Sequence, residues 1–430
     1  MISNSKQPLV METVAGLDIG TGCVKGLASV NGADPINIDF LSGTALQTNS
    51  QNLETPLDEA GGLIDDIFNN LEASFDSPSV ENKTPRLFGD RGVTSGLSMN
   101  EFDTSGLSRK TSQDLSYVLV LGCFAGCALK AYWAEHHDIP GDVLRVRCPM
   151  LAVALPISEY KADRRVYMGN LLGASHMVSI YNFETTVRVE VVIEDMRVLA
   201  EGALALFAIS AKGVPLMDAM LKDLREHGED LDGITAQDIL GAKNTLGIDI
   251  GEGAVNFPLL REGEFHSELS YSYNRGYGQV LDDSLVKFRS MNIPFKDRTA
   301  LVLTLNSPIG PLARKRRARI QEVVEEETKG FVDQVINEFK KVLSKIDSYV
   351  GVIYVYGGGA APVKDFLYPK LIEATKSLGG DDVNVTILYL RPEYSRCLNR
   401  EGLFMTAQQV HADNLKKRDQ ENAKVAAVKK

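Results

Sequence analysis

Apolar and polar positions along the chain repeat with two periods, and an element ends where the period changes. Residues 14–19 form an apolar strand-like run that meets a turn of small residues, and residues 24–30 leave it as a second strand. "QDLSYVLVLGCFAGCALKAYWAEHH" has the length and apolar density of a largely buried helix, with Thr111 or Ser112 placed to cap its start. "VLRVRCPMLAVALPIS" predicts a strand ending at Pro156, and "TVRVEVVIEDMRV" alternates as a half-buried strand. "AEGALALFAIS", "GQVLDDSLVKFRSM" and the long amphipathic stretch 314–346 predict helices. Residues 351–374 read as an apolar strand, three glycines, and a helix with Pro362 in its first turn, where proline is tolerated. "VTILYL" adds a strand and "NREGLFMTAQQ" a last helix. Residues 1–13 predict a loose tail, 49–83 a polar surface insertion with a short apolar patch at 64–71, and 415–430 a solvated Lys-rich tail.

One pattern occurs twice. "VAGLDIGTGCVKGLASVNG" (14–32) and "GIDIGEGAVNFPLLREG" (247–263) share Gly, Asp, Ile, Gly, Gly and Val at the same offsets, and both end in glycine at the same distance. Each is strand–turn–strand, which excludes a Walker A loop and a dinucleotide fingerprint, since both need a helix directly after the glycines. Glycines in such a turn let backbone N–H groups approach an anion, and Thr21 and Lys25 add a hydroxyl and a cation. The single acid before each turn, Asp18 or Asp249, would repel a phosphate on its own. It fits if a divalent cation sits between, because Mg²⁺ binds few carboxylates and keeps several waters. Two facing copies then clasp a metal–triphosphate, and the chain reads as a duplicated α/β domain with one cleft between the halves.

Composition narrows the class without changing this picture. At 430 residues the chain is long enough for two or three domains. A net charge of −11 argues against a broad nucleic-acid footprint on the body of the chain. No apolar run reaches the ~18–20 residues of a membrane span, and the first residues lack the pattern of a signal peptide. The five scattered cysteines suit a reduced cytoplasm, and Cys123 and Cys127, on one helix face, read as core rather than metal ligands.

"LDIGTGCVKG", "IDIGEGAVN", "VYGGGAAPV" and "AEGALALFAIS" resemble, in order, the first phosphate loop, second phosphate loop, adenosine loop and first connecting helix of the actin–hexokinase–heat-shock chaperone ATPase superfamily. Within it, "RLFGDRGV", "ALPISEYKADRR" and "PEYSRCLNREGLF" resemble the bacterial ParM/StbA plasmid-segregation actins. The resemblance implies duplicated actin-like (ribonuclease H-like) α/β domains, with mixed sheets flanked by helices and a nucleotide cleft between them. It places domain I at 14–198, with 49–92 in its small subdomain and completion by 395–414, and domain II at 199–394.

By matching positions, the resemblance implies that Asp18 and Asp249 hold Mg²⁺ and that ATP is the nucleotide. Gly20, Thr21, Gly22, Lys25, Gly251, Glu252 and Gly253 would contact the β- and γ-phosphates. Gly357, Gly358, Gly359 and Ala360 would approach the α-phosphate and adenosine. Glu201, on the connecting helix, would position the attacking water and, with Asp249, form the catalytic pair. Glu252 departs from the Gly or Asp of many relatives.

The function implied is a cytoplasmic, ATP-dependent filament former that partners itself and a ParR-type DNA-binding adaptor, without direct nucleic-acid or membrane binding. An FtsA- or PilM-like scaffold is the alternative, but its membrane helix needs bulky apolar residues where "KKRDQENAKVAAVKK" offers alanine and valine. A sugar or acetate kinase would need a catalytic acid in a substrate segment, and none stands out. The basic run "RKRRAR" at 314–319 reads as a solvated helix start or as a contact for nucleotide, filament neighbour or adaptor.

Overall fold

Two sheets with the same internal plan account for the duplication. In a computed structural model describing residues 9–49, 52, 53, 55–105, 107–228, 230, 231, 233–346, 350–379 and 385–428, each sheet has a five-strand centre. In the first, Ile36–Leu41, Cys23–Val30 and Val10–Ile19 run antiparallel, and Leu144–Leu155 and Met196–Ala200 continue in parallel beyond Val10–Ile19. In the second, Tyr271–Tyr273, Val255–Phe257 and Asn244–Ile250 are antiparallel, followed in parallel by Val352–Tyr356 and Thr386–Tyr389. The fold is therefore α/β, with duplicated mixed sheets. Parallel neighbours need long crossovers, so a helix follows each hairpin and covers a sheet face.

The first crossover is the helix Asp114–His136, whose residues 115–129 are buried on every side. Cys123 and Cys127 are 1% exposed there, and burial pushes the Cys127 thiol up to about 12, as suits core residues. Its cap differs from expectation. Gln113 takes the N-cap position without a side-chain bond, while the Ser112 hydroxyl bonds the Arg109 carbonyl and Thr111 reaches Asp163. Two helices, Asp114–His136 and Ala203–Glu226, are long and apolar enough to cross a membrane, against the sequence expectation. Both pack into the protein, with 83% and 44% of their most apolar stretches buried.

Other elements depart from the pattern for identifiable reasons. The strand Val10–Ile19 begins inside the expected tail because Met11 and Thr13 are buried; residues 1–8 lie outside the described residues. The expected strand at 186–198 is two, Val187–Ile193 and Met196–Ala200, pairing with successive halves of Leu144–Leu155. The supposed surface insertion contributes Ile64, Ile67, Phe68, Leu71 and Phe75 to the first core, and Glu72–Asp76 extends the first sheet; residues 50, 51 and 54 lie outside the described residues. The connecting helix runs to Glu226, with a break at Gly213 (φ 63°) just ahead of Pro215.

The last helix begins at Pro392 and continues to Val428, where a frayed tail was expected; residues 429 and 430 lie outside the described residues. It closes on the first strand so tightly that a methyl group on Gly16 would lie 2.3 Å from the Phe404 nitrogen. One on Gly402 would lie 2.7 Å from the Leu204 carbonyl oxygen. The helix Arg314–Leu343 exposes Arg314, Lys315, Arg316 and Arg319 but buries Arg317, whose guanidinium donates to the Leu305 carbonyl.

Candidate active site

Period-2 alternation fixes which residues of each hairpin share a face. Asp18 lies opposite Lys25 in the first, and Asp249 lies opposite Asn256 in the second, so Lys25 and Asn256 occupy equivalent positions. The first turn is braced by the end of the third strand, where Ser42 donates its N–H to Gly22 and its hydroxyl to Gly20. The two turns meet tip to tip. A methyl group on Gly22 would sit 1.5 Å from Glu252 Oε2, and one on Gly253 would sit 2.5 Å from Thr21 Oγ1.

The third glycine loop joins Val352–Tyr356 to the helix Ala360–Gly379 behind these turns. Gly357 has φ 99°, and a methyl group there would lie 2.5 Å from Asp249 Oδ1, so both conformation and space demand glycine. The Gly359 N–H donates to the Ile250 carbonyl at 2.8 Å, tying this loop to the second hairpin.

All predicted site residues but one line a single cavity of about 700 Å³. The exception is Ala360, which is 1% exposed and turned into the core, leaving Ala361 and Pro362 on the cavity wall. Tyr277, Leu281, Val302, Leu305 and Val324 give the cavity an apolar portion.

Glu201 is in the cavity but not on the connecting helix. It occupies the turn between Met196–Ala200 and Ala203–Glu226, and Gly202 is the helix N-cap at φ 82°. A methyl group on Gly202 would meet Asp249 Cβ at 3.1 Å, and the Gly202 carbonyl accepts from the Tyr356 hydroxyl at 2.6 Å. The turn therefore delivers Glu201 beside the second hairpin. Its Oε1 accepts from Lys110 Nζ at 2.7 Å and its Oε2 from Asn256 Nδ2 at 3.2 Å.

The acids are short of compensating charge. Burial, then Glu201 and Asp18, push the Asp249 carboxyl up to about 8, while Asn399 Nδ2 approaches its Oδ2 at 3.5 Å. Burial and Glu201 push Asp18 up to about 6 against the pull of Lys25 and Lys110. Burial disfavours the Lys110 charge, yet Glu201, Asp18 and Glu159 outweigh it and hold its ammonium above the ordinary lysine value. Among the described residues no three His, Cys, Asp or Glu side chains converge as a metal-ligand cluster.

Glu252 of the cavity wall also belongs to a second ionic centre. Arg298, 4% exposed, lies 3.0 Å from Glu252 Oε1, 3.0 Å from Asp282 Oδ2 and 3.6 Å from Glu101 Oε2. It also donates to Thr104 Oγ1 at 3.1 Å and to the Phe102 carbonyl at 3.3 Å. Glu101, Phe102 and Thr104 follow the edge strand Met99–Asn100 of the first sheet, whereas Glu252 is in the second hairpin turn. Burial raises the Glu252 pKa; Arg298 opposes that rise, and Glu101 and Asp282 add to it.

Lys110, Asn256, Asn399 and Arg298 are absent from the sequence-derived site. Asn256 was recoverable, because it stands at the same offset from Asp249 as Lys25 does from Asp18. Asn399 stands in the segment "PEYSRCLNREGLF" without having been assigned to the site, and Lys110 and Arg298 come from segments with no motif.

No known protein-family signature matches the chain, and neither does any curated protein sequence. Solved structures do match. The actin-like protein Alp7A superposes with a TM-score of 0.58 at 17% identity, over 96% of this chain and 100% of its own. The archaeal actin homologue Ta0583 gives 0.54 at 15% identity over 93% and 99%. ParM of Bacillus thuringiensis with ATP gives 0.53 at 14% over 93% and 99%. Identities this low speak for the fold, and the fold of this chain is that of the archaeal and bacterial actin homologues.

Proposed function

We propose that the chain is an ATPase that assembles with itself into filaments and drives apart cargo, with plasmid DNA joined through a ParR-type DNA-binding adaptor in the cytoplasm. The observation that carries this reading is the pair of glycine turns meeting tip to tip over one cavity, each with an aspartate behind it, Asp249 buried and Asp18 partly buried. ParM structures solved with ATP and with AMPPNP share the fold, which supports a nucleotide in this cleft. A pCBH ParM carried as a non-polymerisable mutant shares it too, which supports self-assembly.

Gly20, Thr21, Gly22, Lys25, Gly251, Glu252 and Gly253 bind the β- and γ-phosphates in this reading, and Gly357, Gly358 and Gly359 approach the α-phosphate and adenosine. The donor set suits Mg²⁺: Asp18 and Asp249 are hard oxygen ligands, and burial first, then neighbouring acids, raises both pKa values, a setting in which a cation would offset the charge. Two carboxylates without a third ligand suit an ion that keeps most of its waters. Bound there, Mg²⁺ supplies neutralisation of the phosphate charge. The protein's own part is to hold the terminal phosphate between the turns and to order a water with Glu201.

Sedimentation with ATP, ADP and no nucleotide tests the reading. Wild-type protein should pellet above a critical concentration with Mg-ATP and much less with ADP. Asp18→Ala and Asp249→Ala should lose Mg-ATP binding and pelleting together. Wild-type protein that stays monomeric in all three conditions, or aspartate variants with unchanged nucleotide affinity, would overturn it.

A further inference from the structure

The carboxylate of Glu201 is gripped at both oxygens by groups from different parts of the chain. Lys110 Nζ holds Oε1 at 2.7 Å and Asn256 Nδ2 holds Oε2 at 3.2 Å. Neither donor is free to move. Lys110 stands in the turn Lys110–Ser112, and the N–H groups of Lys110 and Thr111 each donate to one Glu159 oxygen at 3.1 Å. Asn256 is 1% exposed, and its Oδ1 accepts from the Ser272 hydroxyl at 2.6 Å and the Ile157 N–H at 3.4 Å. With Oδ1 engaged by donors, the amide group has only its Nδ2 side to present to Glu201.

A pair serving stability alone has no reason to sit on a cavity wall, yet Lys110 and Glu201 both line the nucleotide-sized cavity beside Asp18 and Asp249. An ionised carboxylate offers about four acceptor positions, and this grip uses one on each oxygen. The remaining lone pairs are held in a fixed direction. Charge-assisted bonds such as the one from Lys110 are the shorter and stronger kind, which suits a group whose task is orientation.

We propose that Lys110 and Asn256 are positioning residues for hydrolysis: they lock the Glu201 carboxylate in the one orientation that orders a water toward the terminal phosphate. Neither is required to touch the nucleotide. The inference rests on the ATPase reading above, and it accounts for the divergence of the two hairpins at their equivalent position. Lys25 faces phosphate as a cation, and Asn256 serves Glu201 as a neutral donor.

The test uses full-length protein, Mg-ATP, steady-state phosphate release and nucleotide affinity measured with AMPPNP. Lys110→Met and Asn256→Ala should each lower kcat by roughly 10- to 100-fold, the scale of a misplaced catalytic group, with AMPPNP affinity within about 3-fold of wild type. Lys110→Arg should recover part of the rate. In a Glu201→Ala background, Lys110→Met should cause no further loss, because there is nothing left to orient. Wild-type rates in both single variants would overturn the proposal. So would equal losses with and without Glu201, or a fall in affinity that matches the fall in rate, which would mean direct phosphate contact by Lys110. Should Lys110→Met fail to fold by circular dichroism, Asn256→Ala and Lys110→Arg carry the same comparison. A wild-type protein that binds AMPPNP but releases no phosphate would overturn the ATPase reading and this inference with it. A wild-type protein that turns over beside fully active variants would overturn the inference alone.

Discussion

Replacing Arg298 with methionine keeps most of the stem's volume and removes one charge from beside Glu252 of the cleft wall. The guanidinium faces three carboxylates, Glu252, Asp282 and Glu101, whose side chains are 26%, 37% and 19% exposed. Removing one partner from a buried ion pair costs about 3–5 kcal/mol, because the other is left uncompensated. An exposed pair is worth only about 0–1 kcal/mol. Arg298 is itself 4% exposed, but its partners keep some water, so the lower end of the buried range applies, about 3 kcal/mol. Urea unfolding followed by circular dichroism should show that loss near neutral pH. Adding Glu252→Gln should restore at least ~1 kcal/mol of it, since the repelling group is then gone. The deficit should also shrink as pH falls, because burial already raises the Glu252 pKa and protonation removes its stranded charge. A loss below ~1 kcal/mol, or one independent of pH and of Glu252, would refute the charge argument.

Two further outcomes follow from the same cleft. Glu201→Ala should slow phosphate release by roughly 10²-fold, equal to about 2.7 kcal/mol of barrier, while ATP still binds and filaments persist longer; unchanged release would assign the water to another residue. The nucleotide-free protein should lose stability as pH rises. Asp18 and Asp249 have folded values of about 6 and about 8, above the ordinary 3.8, so the folded state holds more protons than the unfolded one between those limits. That contribution is complete below the ordinary carboxylate range and gone above about 8, so a melting temperature rising steadily from about pH 5 to 8 would contradict the assignment.

The hairpins were legible in the sequence because their chemistry is local. An acid, two glycines and alternating flanks lie within a few residues, and the second copy repeats the offsets of the first. The cores of the buried helix 115–129 and the buried strand 352–356 were legible for the same reason, since apolar density needs no partner to be recognised. What failed depended on distant neighbours. The segment 49–83 reads as a surface insertion with only a short apolar patch at 64–71, yet Ile64, Ile67, Phe68 and Phe75 find the first core across the chain. Thr111 and Ser112 are capping types, but Asp163 and Arg109 claim their hydroxyls first. Glu201 lies just outside its helix because Gly202, at φ 82°, is the N-cap, packed where a Cβ would meet Asp249, a contact that sequence spacing does not encode. Lys110 and Arg298 are cations in unpatterned segments, and only the folded chain surrounds them with acids.

The closure of the last helix on the first strand sets the order in which the protein can be made. Gly16 has no room for a methyl group because the backbone at Leu403 and Phe404 lies against it, and Asn399 of the same helix reaches Asp249. The first hairpin and the neighbouring strand Leu144–Leu155 leave the ribosome early but keep an uncovered apolar face, including Val14 and Met150, until Leu403 and Ala407 arrive. At about 5–20 residues per second, that wait is on the order of tens of seconds. Contacts so far apart in sequence also make the final docking slow. The nascent first half is thus the form most in need of a chaperone, and truncation before Asn399 should yield insoluble protein rather than a smaller folded lobe.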